Sequence, residues 1–295
     1  MAQTQTASAI DLPLSLQRLD YRKAFGLLVT YVLLLLAVTI VLFPVFWMAS
    51  SSLKPDPELF ARNQTMLPIN WTLQNYRNVW LNTDFPAYFV NSFKVAAIST
   101  FFSVIVSMYA AYALARIQFV GRYAYGLLLL VTQMFPHILL VIPLFLIIRN
   151  LGLFNTHMAL IIAYTAFSLP FNIWLLRGFF EAIPEELEDA AAIDGASMLG
   201  TFHRIILPLA GPGLAAVTMF GFIRAWNEFL FALVFLQSHQ LFTLPIGLAS
   251  FQEEFTFRWD LIMAGAGIIT LPVLFFFLLM QRFIVQGLLG GAVKG

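Results

Sequence analysis

Arg224 and Glu228 stand four positions apart in an otherwise apolar stretch, and Gln133 and His137 repeat that spacing in another. Four positions on a helix bring side chains onto one face, so each pair would set polar or charged groups side by side. Arg224 with Glu228 reads first as a mutually neutralising ion pair and second as part of a polar path. Trp226 and Asn227 lie beside them, Asn172 follows Pro170, and Pro136 interrupts the stretch that holds Gln133 and His137. Broken helices of this kind are tolerated where they line a water-filled cavity. Gln133, His137, Asn172, Arg224, Trp226, Asn227 and Glu228 are therefore candidate pathway residues. Catalysis finds no footing. The four histidines, His137, His157, His203 and His239, lack any H-E-x-x-H spacing, no nucleophile–base pair stands out, and cysteine is absent. We expect no catalytic residue, no metal site and no cofactor.

The elements that position these groups must cross a membrane. Of 295 residues, 60% are hydrophobic and 11% charged, with a mean hydropathy of +0.84, whereas soluble domains carry about 25% charged residues. Segments 25–53, 95–115, 123–148, 150–176 and 261–281 contain no Asp, Glu, Lys or Arg. Each can supply the ~20 residues an α-helix needs to cross ~30 Å of hydrocarbon. The expected fold is an all-α membrane protein, a polytopic bundle with crossings at about 25–48, 88–115, 122–148, 157–180, 210–236 and 259–285. A net charge of +1 leaves no basic patch for nucleic acid.

Orientation follows from Lys and Arg. With both termini cytoplasmic, the inside carries Arg18, Arg22, Lys23, Arg116, Arg122, Arg177, Arg204, Arg282 and Lys294. The outside then carries Lys54, Arg62, Arg77, Arg149 and Arg258. That bias favours cytoplasmic termini. It makes 1–24 an inner tail, 25–287 the membrane domain and 288–295 a second inner tail. Loops 52–87 and 237–258 face outward, and 181–209 faces the cytoplasm.

The inner loop is the polar exception, EDAAAIDGASMLGTFHRIILP from Glu188 to Pro208. Pro184 opens it, and Glu185, Glu186, Glu188 and Asp189 suit the positive end of a helix dipole. Ala190, Ala191 and Ala192 favour helix, Gly195 ends it in the left-handed conformation, and Ser197 caps a second short helix. Leu207-Pro208 closes the segment. An alanine face admits close approach by another protein, with Phe202 and Ile205 as apolar anchors. A helix resting on lipid headgroups would prefer Lys and Arg, so its acids favour a protein partner.

This stretch resembles the EAA loop of ABC-importer permeases: Glu-Ala-Ala, three residues, Gly, nine residues, Ile-x-Leu-Pro. Asp189-Ala190-Ala191, Gly195 and Ile205-Ile206-Leu207-Pro208 fall at that spacing, with Asp189 in the Glu position and Glu188 beside it. Similarity continues through TLQNYRNVW, AAYALARIQFVGR, LPFNIWLLRGFF, PGLAAVTMFGFIRAWNEFLFAL and GLLGGAVKG. The chain is thereby similar to carbohydrate-uptake permeases, specifically to the second membrane subunit of the maltose transporter.

The resemblance implies a type I importer fold in the inner membrane and ATP-driven uptake of a maltose-, trehalose- or maltodextrin-like sugar. It implies a second permease subunit, two ATP-binding subunits and an extracytoplasmic sugar-binding protein. Glu188, Asp189, Ala190, Ala191, Asp194, Gly195, Phe202, Ile205, Leu207 and Pro208 become ATPase-coupling residues. Gly291 and Lys294 would reach the ATPase dimer. His239, Gln240, Glu253 and Glu254 would meet the binding protein. No G-x-x-x-x-G-K-[ST] phosphate loop is present, which agrees with ATP hydrolysis on other subunits. The alternative is a secondary transporter driven by an ion gradient. It calls for buried carboxylates, and Glu228 is the only acid well inside a crossing.

Overall fold

The structure, a computed structural model, describes residues 21–252 and 258–292. The expected sites Glu253, Glu254 and Lys294 and the first twenty residues lie outside them. The chain divides into two compact units, 1–47 and 48–295. Helix α1 (Tyr21–Ser52) supplies the described part of the first unit and runs on into the second. From Phe25 to Phe46 its side chains are predominantly apolar around the whole circumference and exposed, with Leu35 and Val41 each at 69%, the pattern of a helix solvated by hydrocarbon.

A small cap follows, with α2 (Asp56–Leu59) and α3 (Gln74–Leu81). Polar groups tie it together. Asn75 Nδ2 donates to the carbonyls of Ser52 and Lys54 at 3.0 and 2.7 Å. The Glu58 carboxylate accepts the backbone N–H of Ile69 at 2.8 Å and of Asn70 at 3.2 Å. The Ile69 N–H above all holds the Glu58 carboxyl below its usual range.

The bundle then runs through α4 (Phe85–Arg116), α5 (Arg122–Met134), α6 (Val141–Asn150) and α7 (His157–Glu181). Three surface helices follow, α8 (Glu186–Ile193), α9 (Met198–Thr201) and α10 (Leu207–Leu209). The chain re-enters the bundle as α11 (Gly211–Trp226), α12 (Leu230–Phe235), α13 (Leu244–Ala249) and α14 (Trp259–Ala292). Helix α4 is the hub, packed most extensively on α7 and next on α11. One face of α4 reads Ser92, Ala96, Ser99, Ser103, Ser107 and Ala111, all buried. Between helices in lipid there is little hydrophobic drive, so small residues that let backbones close provide the attraction by contact. Other surfaces are apolar and exposed, Phe101 of α4 at 60% and Leu271 and Phe275 of α14 at 61% and 60%. Soluble proteins avoid apolar surface on this scale, and a bilayer covers it.

Among the described residues four helices are long and apolar enough to cross a membrane, or up to six if each sharply bent pair counts as one crossing. Two expected crossings are therefore not single rods. The one at 122–148 bends by 92° between Met134 and His137. Phe135 precedes Pro136 and is extended at φ −77°, ψ 127°, because a residue before proline is driven out of the helical region. The crossing expected at 210–236 breaks after Trp226, and α12 starts only at Leu230. Arg224 and Glu228 thus do not share one continuous helix face.

Glycines mark where elements touch. A Cβ on Gly247 of α13 would sit 2.1 Å from Cδ2 of Tyr88 in α4, and Tyr88 is only 4% exposed. Gly247→Ala is expected to lower stability by about 1–3 kcal/mol through overpacking, read as a drop in melting temperature in detergent. Gly211→Ala, where nothing lies within 4 Å, is the matched control and should melt with the parent.

Candidate coupling site and polar pathway

The polar segment folds from its own signals. Glu186, Glu188 and Asp189 fill the first turn of α8. Its far end closes as a Schellman turn: the Gly195 N–H donates to the Ala192 carbonyl at 3.0 Å and the Ala196 N–H to Ala191 at 2.9 Å. Gly195 takes φ +80°. Ser197 Oγ then accepts the Gly200 N–H at 3.2 Å, capping α9. Residues Phe202–Ile206 form a π turn before α10. Pro208 cannot donate to the preceding turn and crowds it, and a widened turn relieves both problems. The 198–209 segment meets α11 at 76°.

The inner face of this segment is bolted to α4. Glu188 accepts Arg116 Nε on one carboxylate oxygen and Tyr112 Oη on the other, the latter at 2.6 Å. Arg116 also donates to the Ile183 carbonyl at 2.7 Å. The Arg116 side chain is 9% exposed and that of Glu188 19%, so this is a partly buried, charge-assisted cluster. Beneath it Tyr112 packs on Phe202 with centroids 4.6 Å apart, and Phe180 closes the group at 5.9 Å from each ring. A second tie lies alongside, where Glu181 receives Arg177 at 2.8 Å and Arg122 at 3.5 Å.

This geometry corrects one expected role. Phe202 is fully buried, and Ile205 is half-buried, so neither projects as a docking anchor. The apolar groups that do project are Ile193, 86% exposed, with Met198 and Leu199. Ala190, Asp189, Asp194 and Gly195 share the exposed side, as does Pro208, while Ala191 is buried and Leu207 half-buried. The sequence places Arg116 among the inner charges but gives neither it nor Tyr112 a role, because nothing local ties them to Glu188, more than seventy positions on.

The pathway candidates separate into two groups. Trp226 is fully buried, stacked on Phe222 and donating to the Ile269 carbonyl at 3.2 Å; it belongs to the core and lines nothing. Asn227 is exposed but spends its amide on the Ile223 carbonyl at 2.9 Å, closing α11. Gln133 is half-buried near the end of α5, short of the proline break that separates it from His137. His137 comes to Arg224 instead, its ring nitrogens 3.4 Å from the guanidinium and its ring against Phe167. Glu228 accepts the Tyr164 hydroxyl and the backbone N–H groups of Phe231 (2.8 Å) and Ala232 (3.1 Å). Among the described residues no ion pair joins Arg224 to Glu228: Glu228 is the cap of α12. Asn172 is buried and donates to Ser103 Oγ at 3.3 Å.

At the other end of the bundle, the 237–242 strand of chain is clamped from two sides. Asn91 Nδ2 donates to the carbonyls of Gln240 and Phe242 at 2.9 and 3.0 Å. Asn155 accepts the N–H groups of Gln237 and Ser238 at 2.9 and 3.0 Å. His239 and Gln240 remain exposed on this rigid loop. Gly291 falls within α14, which continues to Ala292, past the expected limit of the crossing.

A bent helical bundle with an apolar outer surface and a polar helical segment packed against the end of α4 is the architecture of a multi-pass membrane protein. Comparison with known proteins narrows this. Residues 103–290 match the family model described as "Binding-protein-dependent transport system inner membrane component", and the chain belongs to that family, as a carbohydrate-uptake permease of the ABC-transporter type. It is 41% identical over 264 residues to the trehalose/maltose transport system permease protein MalG of Thermococcus litoralis, covering 88% of this chain and 94% of that one. It is 42% identical over 263 residues to the trehalose transport system permease protein SugB of Mycobacterium tuberculosis, covering 88% and 95%. It also superposes on a chain from the crystal structure of a bacterial ABC transporter involved in import of the acidic polysaccharide alginate. There the TM-score is 0.76 at 27% identity, over 90% of this chain and 98% of that one.

Proposed function

We propose that this chain forms half of the translocation pathway of an ATP-driven sugar importer, taking up a trehalose- or maltose-like saccharide. Its companion is a second permease. Two ATP-binding subunits dock on the 181–209 lever from the cytoplasm, where both termini also lie, and an extracytoplasmic binding protein delivers sugar near the 237–258 loop. The observation that carries the reading is the lever itself: an exposed face of Ile193, Met198 and Leu199, backed by Glu188 held to Arg116 and Tyr112 of α4. A groove that moves when ATP is bound would carry α8 with it, and α4 would follow as a rigid body.

The test uses Gly195. No atom lies within 4 Å of a Cβ built there, yet its φ is +80°, so a substitution acts through backbone strain alone. Gly195→Val is expected to strain the turn by about 1–2 kcal/mol and misplace α9, so that uptake in proteoliposomes falls and the ATPase no longer co-purifies. Gly195→Asn, which tolerates this conformation better, should retain more of both. Parental uptake and normal ATPase recovery in the valine variant would sink the coupling role.

A further inference from the structure

Between α7 and α11 lies a cavity of about 270 Å³, open on one side and walled by Ser168, Phe171, Asn172, Phe220, Ile223 and Arg224. A second hollow of about 30 Å³ adjoins it, sharing Ser168 and Arg224 and large enough for one water. The walls combine two chemistries. Phe171 and Phe220 meet edge to face, 5.9 Å apart at 86°, and present apolar faces. Ser168 is 7% exposed, and among the described residues its hydroxyl has no hydrogen-bond partner. That oxygen is not itself fully buried, so it is open to a partner at the cavity wall. Asn172 spends its amide N–H on Ser103 and leaves its carbonyl oxygen without a donor among the described residues. Arg224 has five N–H donors, and among the described residues its one side-chain hydrogen-bond partner is His137, at 3.4 Å. It sits well inside the crossing, where a guanidinium has to face water or polar partners rather than lipid.

Aromatic faces beside unspent donors and acceptors suit a ring that is apolar on its C–H faces and hydroxylated at its edge. Pockets for drug-sized ligands run ~300–1,000 Å³, so this one suits a single ring better than an extended chain. We infer that the cavity holds one sugar ring of the transported saccharide on this subunit, against Phe171 and Phe220, with its hydroxyls on Ser168, Asn172 and Arg224. The inference rests on the sugar-import reading above and adds a specific contact site to it.

The chain contains no cysteine, so a single reporter thiol on it is unambiguous. The assembled importer is reconstituted in liposomes with its binding protein, and uptake of a disaccharide panel including trehalose and maltose is measured first. Uptake of none overturns the import reading, and this inference with it. With a sugar that is taken up, Ser168→Cys and Ile223→Cys are treated with a small methanethiosulfonate during turnover, and modification is read by mass on this chain. Both thiols are expected to react, and to react several-fold more slowly at saturating sugar. Leu233→Cys, 50% exposed on α12 and not among the cavity's lining residues, should show no such protection. Phe171→Leu keeps bulk but removes a ring face, and should weaken the protection about two- to tenfold. Thiols that never react, or equal rates with and without sugar at both positions while uptake persists, overturn the cavity assignment and leave the import reading standing.

Discussion

Arg116→Ala is expected to destabilise the protein by about 3–5 kcal/mol, the range for removing one partner of a buried ion pair, and to abolish most uptake. The size follows from what remains. Glu188 would keep a carboxylate only 19% exposed, with Tyr112 as its surviving side-chain donor, and the Ile183 carbonyl would lose its partner too. Glu188 lies in the first turn of α8, so its release frees the lever from α4. The ion pair itself need not add net stability, and the double variant Arg116→Met/Glu188→Leu tests this. It should recover much of the lost melting temperature, because no charge is left unpaired, and the cycle isolates the coupling energy. Detergent melting and proteoliposome uptake provide the two readouts. If Arg116→Ala melted with the parent and transported normally, the latch would have no mechanical role.

Glu228→Ala ranks second. The carboxylate serves three donors at once: the Tyr164 hydroxyl and the backbone N–H groups of Phe231 and Ala232. Tyr164, Phe231 and Ala232 are all buried, and each orphaned donor costs about 1–3 kcal/mol, so a total near 3 kcal/mol or more is expected. Glu228→Gln keeps acceptor oxygen on the amide and should lose less. Tyr164→Phe removes one hydroxyl, spares the cap of α12, and should cost about 0.5–1.5 kcal/mol. Because α12 leads directly into the clamped 237–242 loop, limited proteolysis of that loop should accelerate in the alanine variant. Alanine and glutamine variants of equal stability would show that the cap is unimportant.

These two sites also show where sequence reasoning stops. The ends of α8 and α9 were legible because caps are local: Gly195 and Ser197 act on residues three or four positions away. Four of the six expected crossings coincide with long apolar helices, because hydropathy is likewise a local property. Direction was not legible. Whether Phe202 faces out or in depends on Tyr112 and Phe180, which are distant in the chain. Arg224 and Glu228 looked like a pair by spacing, but the helix stops between them. Each then takes a partner from another element, His137 and Tyr164. The serine and alanine stripe of α4 was readable at spacings of three and four, and it is masked by the bulky residues between. Aromatic walls such as Phe171 and Phe220 are camouflaged among 31 phenylalanines.

The 76° corner between the 198–209 segment and α11 has a kinematic consequence. Two arms joined nearly at a right angle cannot both slide along their own axes. If the elbow is stiff, advancing one arm must swing the other, as in a bell crank. The corner lies at Ala210, buried to 1% exposure, with Gly211 and Pro212 opening the next helix. A thrust delivered at Met198 and Leu199 would therefore arrive at Phe220 and Arg224 as a sideways sweep, displacing whatever those side chains hold.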